Sequence, residues 1–260
     1  MLKFIDTHVH IPIIKGSEDD VVKEAGKNNV QILLNVGYDL KSSIASQELA
    51  LKYSNIFASI GLHPHYISES EWQTLWAWSS EVLKNKDSRI VAWGETGLDY
   101  VRSKTEKKIQ QKYFDLQIAM AKTYQLPLII HHREAEDDML NLLTRYAPIK
   151  GVMHCFSSTN PAFAEKILSM GLMVSFAGNL TYPSSNQLRS IASMIPIENV
   201  LLETDAPYLS PVPHRGRENH PGFLPEIYTL FADLRKISLE RLCLQLYNNA
   251  NKLFNLNRRL

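Results

Sequence analysis

Cysteine is scarce: the 260 residues include two, Cys155 and Cys243. A pair of thiols cannot form the multi-disulfide framework of a small secreted domain, so a reducing, cytoplasmic setting is expected. Long apolar runs are missing too. Stretches such as Leu126–Ile130 and Leu172–Val174 fall far short of the roughly 20 residues needed to cross a bilayer, and no membrane partner is expected. An excess of one charge is also absent: 28 Lys and Arg face 27 Asp and Glu, a net of +1 with histidine neutral. That balance argues against coating nucleic acid by bulk charge, while leaving room for a local grip on a few phosphates. No Gly-x-Ser-x-Gly elbow occurs, so nothing supports serine-hydrolase chemistry. No linker, low-complexity tract or literal repeat divides the chain, and one domain over residues 1–260 is expected. Met1–His10 reads as a strand and not as a leader peptide. Core material is ample: 45% of residues are apolar, which excludes intrinsic disorder.

An architecture recurs along the chain. Eight short apolar runs each end in polar residues and are followed by a helical pattern: Leu2–Asp6, Val30–Val36, Ile56–Gly61, Arg89–Gly94, Leu126–Ile130, Lys150–His154, Leu172–Phe176 and Val200–Asp205. Near-continuous Val, Ile, Leu and Phe suits parallel strands buried on both faces. Between them, Ser103 and Glu106 read as a capping box. It opens a helix whose inner face would carry Ile109, Tyr113, Leu116, Met120 and Tyr124, with Pro127 closing the segment. Asn160 and Pro161 read as a cap and first turn, and Gly171 as a stop. Trp72 and Trp76, four apart, are expected to pack on the body of the fold. Eight β-then-α units predict an α/β fold of the (β/α)8, or TIM-barrel, type. Strand ends from His8 to Asp205 fall about 28 residues apart, a reasonable βα unit. The rival, an open doubly wound sheet, would want a Gly-rich phosphate loop after its first strand; here that strand ends in histidines.

Barrels of this kind place their active sites at the C-terminal ends of the strands. Those ends read His8-Val9-His10, His63-Pro64-His65, Glu95 through Asp99, His131-His132-Arg133-Glu134, His154-Cys155 and Glu203-Thr204-Asp205. Seven of the nine histidines lie there; His214 and His220 follow the last strand. His8 and His10 are two apart on a strand, so both rings face one way and can reach one metal ion. With Glu95, His131, His154 and Asp205 ending other strands, six ligand-type side chains converge. Four nitrogens and two carboxylates suit zinc, manganese or cobalt and suit calcium poorly. Plainer roles stand beside these. Asp6 and Glu203 can orient histidines, His132 can be a wall residue opposite His131, and His63 or His65 can cap a helix. Arg133 and Glu134 can pair at the surface, and Cys155 can be packing.

Seven blocks together carry a resemblance. They are Phe4-Ile5-Asp6-Thr7-His8-Val9-His10, Gly61-Leu62-His63-Pro64-His65, Gly94-Glu95-Thr96-Gly97-Leu98-Asp99-Tyr100, His131-His132-Arg133-Glu134-Ala135, His154-Cys155-Phe156-Ser157, Leu202-Glu203-Thr204-Asp205-Ala206-Pro207-Tyr208-Leu209 and Arg215-Gly216-Arg217-Glu218-Asn219-His220-Pro221. In this order the chain resembles the TatD family of metal-dependent deoxyribonucleases over essentially its full length. Ser158, Val101 and His220 depart from the family's usual residues, and none is a proposed ligand. The resemblance implies two divalent ions (zinc, manganese, cobalt or magnesium). His8, His10 and Asp205 would hold one, His131 and His154 the other, with Glu95 bridging. It also implies that His63 and Arg133 contact the scissile phosphate and that Arg215 holds a flanking one. The implied partner is DNA, single-stranded or at an end and often cut from the 3′ end. Two ions roughly 3.5–4 Å apart suit such hydrolysis, with Asp205 orienting the water or taking its proton. Two other readings remain: hydrolysis of a small ester or amide or of an aminoacyl-tRNA on the same scaffold, and a non-catalytic scaffold barrel, which would lack ligands.

Overall fold

A computed structural model describes residues 2–85 and 87–258. Met1, Lys86, Arg259 and Leu260, included above in the single domain, lie outside the described residues, as does the start of the Met1–His10 segment. Eight strands form one parallel sheet in chain order: β1 Phe4–Val9, β2 Val30–Val36, β3 Ile56–Ile60, β4 Ile90–Asp99, β5 Leu128–Arg133, β6 Gly151–Met153, β7 Leu172–Phe176 and β8 Val200–Leu202. Helices α1 Glu18–Lys27, α2 Leu40–Lys52, α3 Glu69–Val82, α4 Lys107–Thr123, α5 Glu136–Thr144, α6 Pro161–Ser169 and α7 Asn186–Met194 separate them, and α8 Leu224–Arg235 and α9 Leu239–Phe254 follow. This is the expected (β/α)8 barrel.

The seam between β1 and β8 closes through a few specific bonds rather than a long ladder. Val9 bridges Ala206, the His10 amide donates to Ala206 O at 2.9 Å, and the Asp205 amide donates to His8 O at 2.9 Å. Side chains finish the joint. Thr7 Oγ1 donates to Leu202 O at 3.1 Å, and the buried Asp6 carboxyl accepts the Thr204 amide at 3.0 Å and the Thr204 hydroxyl at 2.6 Å. Burial pushes the Asp6 pKa up to about 7 against these bonds. Among the described residues Asp6 accepts the His8 amide and bonds no histidine ring, so it fastens the seam instead of orienting a histidine.

The barrel interior is a packed apolar cluster, as such barrels require. Ile5, Leu34, Phe57, Val91, Ile129, Val152, Met173 and Leu201 come from successive strands, and Ala250, Leu253, Phe254 and Leu256 join them from the end of the chain. A larger cluster lies between strands and helices. No helix among the described residues is long and apolar enough to cross a membrane.

Local readings mostly hold. Asn160 Oδ1 accepts the amides of Ala162 and Phe163, Pro161 occupies the first turn of α6, and Gly171 follows its end with φ +91°. Helix α4 differs. It begins at Lys107, and Ser103 does not cap it; its hydroxyl donates to Pro64 O at 2.7 Å. The buried face is Gln110, Tyr113, Phe114, Gln117, Ile118 and Ala121, while Ile109 and Leu116 are 41% and 36% exposed. The glutamines explain the shift. Gln117 brackets Leu62 by its amide and carbonyl at 2.8 and 2.9 Å, and Gln110 brackets Asp99 at 2.8 and 3.0 Å. Buried backbone polar groups at the strand ends need such partners, so polar side chains turn inward. Trp72 is buried, but Trp76 is 50% exposed and stacks on it.

Strand β4 runs five residues past the expected end at Gly94. Gly94 and Gly97, at φ +146° and +145°, sit where a Cβ would lie 2.3 Å from Ile129 O and 2.0 Å from His131 O. Only glycine permits that approach. It presses the Glu95–Asp99 segment against β5 and carries the strand to the mouth.

Candidate metal centre and active site

Two groups of ligand atoms meet at the C-terminal mouth. In the first, His8 Nε2 and His10 Nε2 are 3.2 Å apart. Glu95 Oε2 lies 3.5 and 3.8 Å from them, and Asp205 Oδ1 lies 3.8 and 3.7 Å from them. In the second, Glu95 Oε1 lies 2.9 Å from His154 Nε2 and 3.0 Å from His131 Nδ1, and these two nitrogens are 3.4 Å apart. Four tetrahedral ligands at about 2.0–2.1 Å from a zinc ion would stand about 3.3–3.4 Å from one another. The observed edges match that scale, and three overlapping sets are able to hold metal ions: His8, His10 and Glu95; His8, His154 and Asp205; and His63, Glu95 and His131.

Outer partners decide which ring nitrogen faces inward. His10 Nδ1 lies 2.9 Å from Val36 O, His154 Nδ1 lies 3.2 Å from Glu203 Oε1, and His131 Nε2 lies 3.2 Å from Asp99 Oδ2. Those oxygens only accept, so each outer nitrogen carries the proton and a neutral ring turns a lone pair inward. The lone pairs then confront carboxylate oxygens, acceptor against acceptor, which is favourable only if a proton or a cation lies between. Without metal, protons take that place. Burial opposes charge on these rings, yet nearby carboxylates hold the His10, His131 and His154 pKa values above the ordinary 6.5. Burial likewise works against ionising Glu95 and Asp205, yet the histidines hold both below the usual carboxylate range. His8 goes the other way, lowered by burial and by His154, and its buried Nδ1 has no partner among the described residues. A divalent ion in each group would satisfy the inward nitrogens, His8 Nε2 included, and the carboxylate oxygens that face them; His8 Nδ1, on the other side of its ring, stays outside that set.

Glu203 orients His154, as its sequence position suggested, and also accepts the Cys155 amide at 2.7 Å and the Ser175 hydroxyl at 2.6 Å. Cys155 is half-buried and lines the site cavity rather than packing in the core, and burial pushes its thiol pKa well up, so the thiol stays protonated. His132 turns away onto the Phe163 ring at 4.8 Å, and burial lowers its pKa to about 4, so it is a neutral wall residue. His63 Nδ1 accepts the His65 amide at 3.2 Å. That leaves Nε2–H as a donor directed into the site, 3.4 Å from Glu95 Oε1. Burial holds the His63 pKa well below 6.5, so the donor is a neutral imidazole. Arg133 lines the cavity of about 330 Å³. Arg133 and Glu134 form no ion pair with each other among the described residues. Arg215 stands apart from that lining, with its guanidinium 4.2 Å over the Tyr182 ring.

Asp99, at the end of β4, contacts the ligand cluster directly although its place in the sequence suggested no role. Asp99 Oδ2 binds His65 Nε2 at 2.9 Å and His131 Nε2 at 3.2 Å, while Oδ1 takes the amides of Val101 and Arg102. Although burial pushes upward, His131 and those amides hold its pKa far below the usual carboxylate range. Glu95, Gly97 and Asp99 alternate along one strand, which puts Glu95 and Asp99 on one face. That spacing was a usable signal once β4 was known to continue past Gly94.

Comparison with known proteins agrees with this geometry. A family model described as TatD related DNase matches residues 5–255. A protein of Buchnera aphidicola subsp. Baizongia pistaciae, named an uncharacterized metal-dependent hydrolase, is 35% identical over 97% of this chain and 96% of its own length. The Bacillus subtilis protein YabD, of the same description, is 32% identical over 97% of this chain and 99% of its own. The crystal structure of YjjV, a TatD homolog from Escherichia coli, superposes with a TM-score of 0.89 at 29% identity, covering 97% of this chain and 98% of that one.

Proposed function

The chain belongs to the TatD-related DNase family and is a metal-dependent hydrolase; from that premise we propose that the bond it cuts is a phosphodiester of DNA, in a single strand or at an end, with two divalent ions engaged. One observation carries the two-ion reading: the two oxygens of Glu95 turn to different ligand groups, Oε2 to His8 and His10 and Oε1 to His131 and His154. Asp205 completes the first group, and Glu95 bridges both. Bound ions would supply Lewis acidity and bring the pKa of water from 15.7 towards about 7.

The chain's own residues supply the rest. Asp205 is ionised at neutral pH and stands within the first group, placed to orient the water and accept its proton. His63 donates from Nε2 to a phosphate oxygen without adding charge. The Arg133 guanidinium offers fixed positive charge as the transition state grows more anionic. Beyond Arg133 the neighbouring hollow sets Glu134, Glu136, Asp137 and Asp138 against Arg102 and Lys107, so it gathers no excess of positive charge for a polyanion. The phosphate grip is therefore local, in keeping with the near-neutral chain. A contact from Arg215 would need a strand long enough to pass Tyr182.

The test is incubation of 5′- and 3′-labelled oligonucleotides with added zinc, manganese, cobalt or magnesium, beside a panel of esters and lactones. Metal-dependent shortening of the oligonucleotides is expected. Cleavage of the small esters with DNA left intact would transfer the reading to a small-molecule hydrolase. Asp99 provides a separate check. Partners that orient a metal-binding histidine typically contribute 10–100-fold to metal affinity. Asp99→Asn is expected to lower ion affinity on about that scale, measured by competition with a chelating dye, since it loosens His131.

A further inference from the structure

The mouth of the barrel has two chemically different halves. The ends of β4 and β5 supply Asp99, His131 and Arg133, and residues just after β4 and β6 supply Arg102 and His154. Residues after β8, β2 and β3 supply three tyrosines, Tyr208, Tyr38 and Tyr66, to the same cavity. Tyr38 and Tyr66 lie with ring centroids 5.1 Å apart and planes tilted by 30°. His10 touches Tyr38 edge-on at 5.4 Å and Tyr208 at 6.2 Å. The aromatic half thus begins at a residue of the first ligand group.

These rings are not core packing. Tyr66 is 46% exposed and Tyr208 54% exposed, and none of the three hydroxyls makes a hydrogen bond among the described residues. Their backbones, by contrast, are pinned. The Tyr38 amide donates to Ser42 Oγ at 2.8 Å, within the capping box of α2, and its carbonyl accepts the His63 amide at 2.9 Å. The Tyr66 amide donates to His63 O at 2.9 Å. Rigid loops hold large aromatic faces open to the cavity, beside a site suited to phosphate chemistry. A flat, polar-edged π system is the ligand that fits such a surface, and bases stack on aromatic side chains irrespective of sequence.

We propose that Tyr38 and Tyr66, flanked by Tyr208, form a stacking platform for the base of the nucleotide being cut, and that this platform selects unpaired ends. The proposal rests on the reading of the substrate as nucleic acid. Three rings accommodate one base, not a run of them. A base lying on them has left its own stack, which costs least at a single-stranded or frayed end. Base identity should matter little, because every base has a π face.

Two oligonucleotides identical except that one carries an abasic residue at the cleaved terminus test this. Stacking of one base on an aromatic side chain corresponds to about 5- to 150-fold by alanine substitution. The unsubstituted protein is expected to prefer the base-bearing end on that scale in kcat/KM, and to bind it more tightly in fluorescence anisotropy with metal removed. Tyr38→Ala with Tyr66→Ala should bring the two oligonucleotides to the same level, whereas Tyr38→Phe with Tyr66→Phe should preserve the preference. Equal cleavage and equal binding of both ends by the unsubstituted protein would overturn the platform while leaving the nuclease reading intact. The platform also falls if the alanine pair folds and keeps its preference. Should the alanine pair not fold, the comparison of ends in the unsubstituted protein and the phenylalanine pair decides. Failure to cut either oligonucleotide with any metal would defeat the nuclease reading itself.

Discussion

On the two-ion reading proposed above, Glu95→Ala is expected to weaken ion binding at both ligand groups together and to lower turnover by on the order of 10³-fold or more, since the Lewis-acid contribution at stake is several kcal/mol. The reason is geometric. Oε2 belongs to the His8 and His10 group and Oε1 to the His131 and His154 group, so one truncation removes a ligand from each. Glu95→Gln retains the shape and loses the charge, and should weaken both sites less than the alanine. Protein loaded with excess zinc or manganese and then desalted gives the readout, as ions per chain by elemental analysis. Up to two are expected before substitution. His132→Ala is the control, since that ring packs on Phe163, and its ion content should stay the same. Undiminished ion content in Glu95→Ala would sink the bridging assignment. Retention should also weaken as pH falls, because protons and metal compete for the same nitrogens. Against burial, the carboxylates keep the His10, His131 and His154 pKa values above 6.5, so competition begins above the ordinary histidine range.

Asp205→Asn should separate chemistry from binding. Loss of a positioned general base costs about 10²–10⁴ in rate, and a loss of that size in kcat is expected with oligonucleotide binding largely kept. Asparagine is the suitable replacement for a backbone reason as well. Asp205 sits at φ +55°, a region that asparagine tolerates better than most residues, so the fold should be undisturbed. Single-turnover kinetics beside an anisotropy titration provide both quantities. Turnover matching the unsubstituted protein would remove Asp205 from the proton transfer; loss of binding in proportion to rate would make it a ligand and nothing more.

Much of this site was legible because its signals are local. His8 and His10 share a face by the two-residue period of a strand, and Glu95, His131, His154 and Asp205 each end a run of apolar residues. The strand order then follows from repeated β-then-α units, since parallel neighbours need a crossover between them. On helix α4 the expected face is only partly the buried one, since Tyr113, Met120 and Tyr124 pack on the core while Ile109 and Leu116 do not, and the reason is equally physical. Gln110 and Gln117 face inward to satisfy backbone groups of Asp99 and Leu62, and a rule that counts apolar residues does not see them.

The (β/α)8 order and the side chains available at the strand ends can be read along the chain, because period and spacing depend on near neighbours. How those side chains are used depends on contacts between segments far apart in the chain. The closeness of β4 to β5, set by Gly94 and Gly97, brought Asp99 to His131 and split the oxygens of Glu95 between two groups. Closure of the β1–β8 seam turned Asp6 into a fastener. The fold of three loops distant in sequence placed Tyr38, Tyr66 and Tyr208 on one side of the cavity and set Arg215 outside its lining. Such contacts join residues tens to hundreds of positions apart, and their energies depend on burial and direction, which no local pattern in the sequence records.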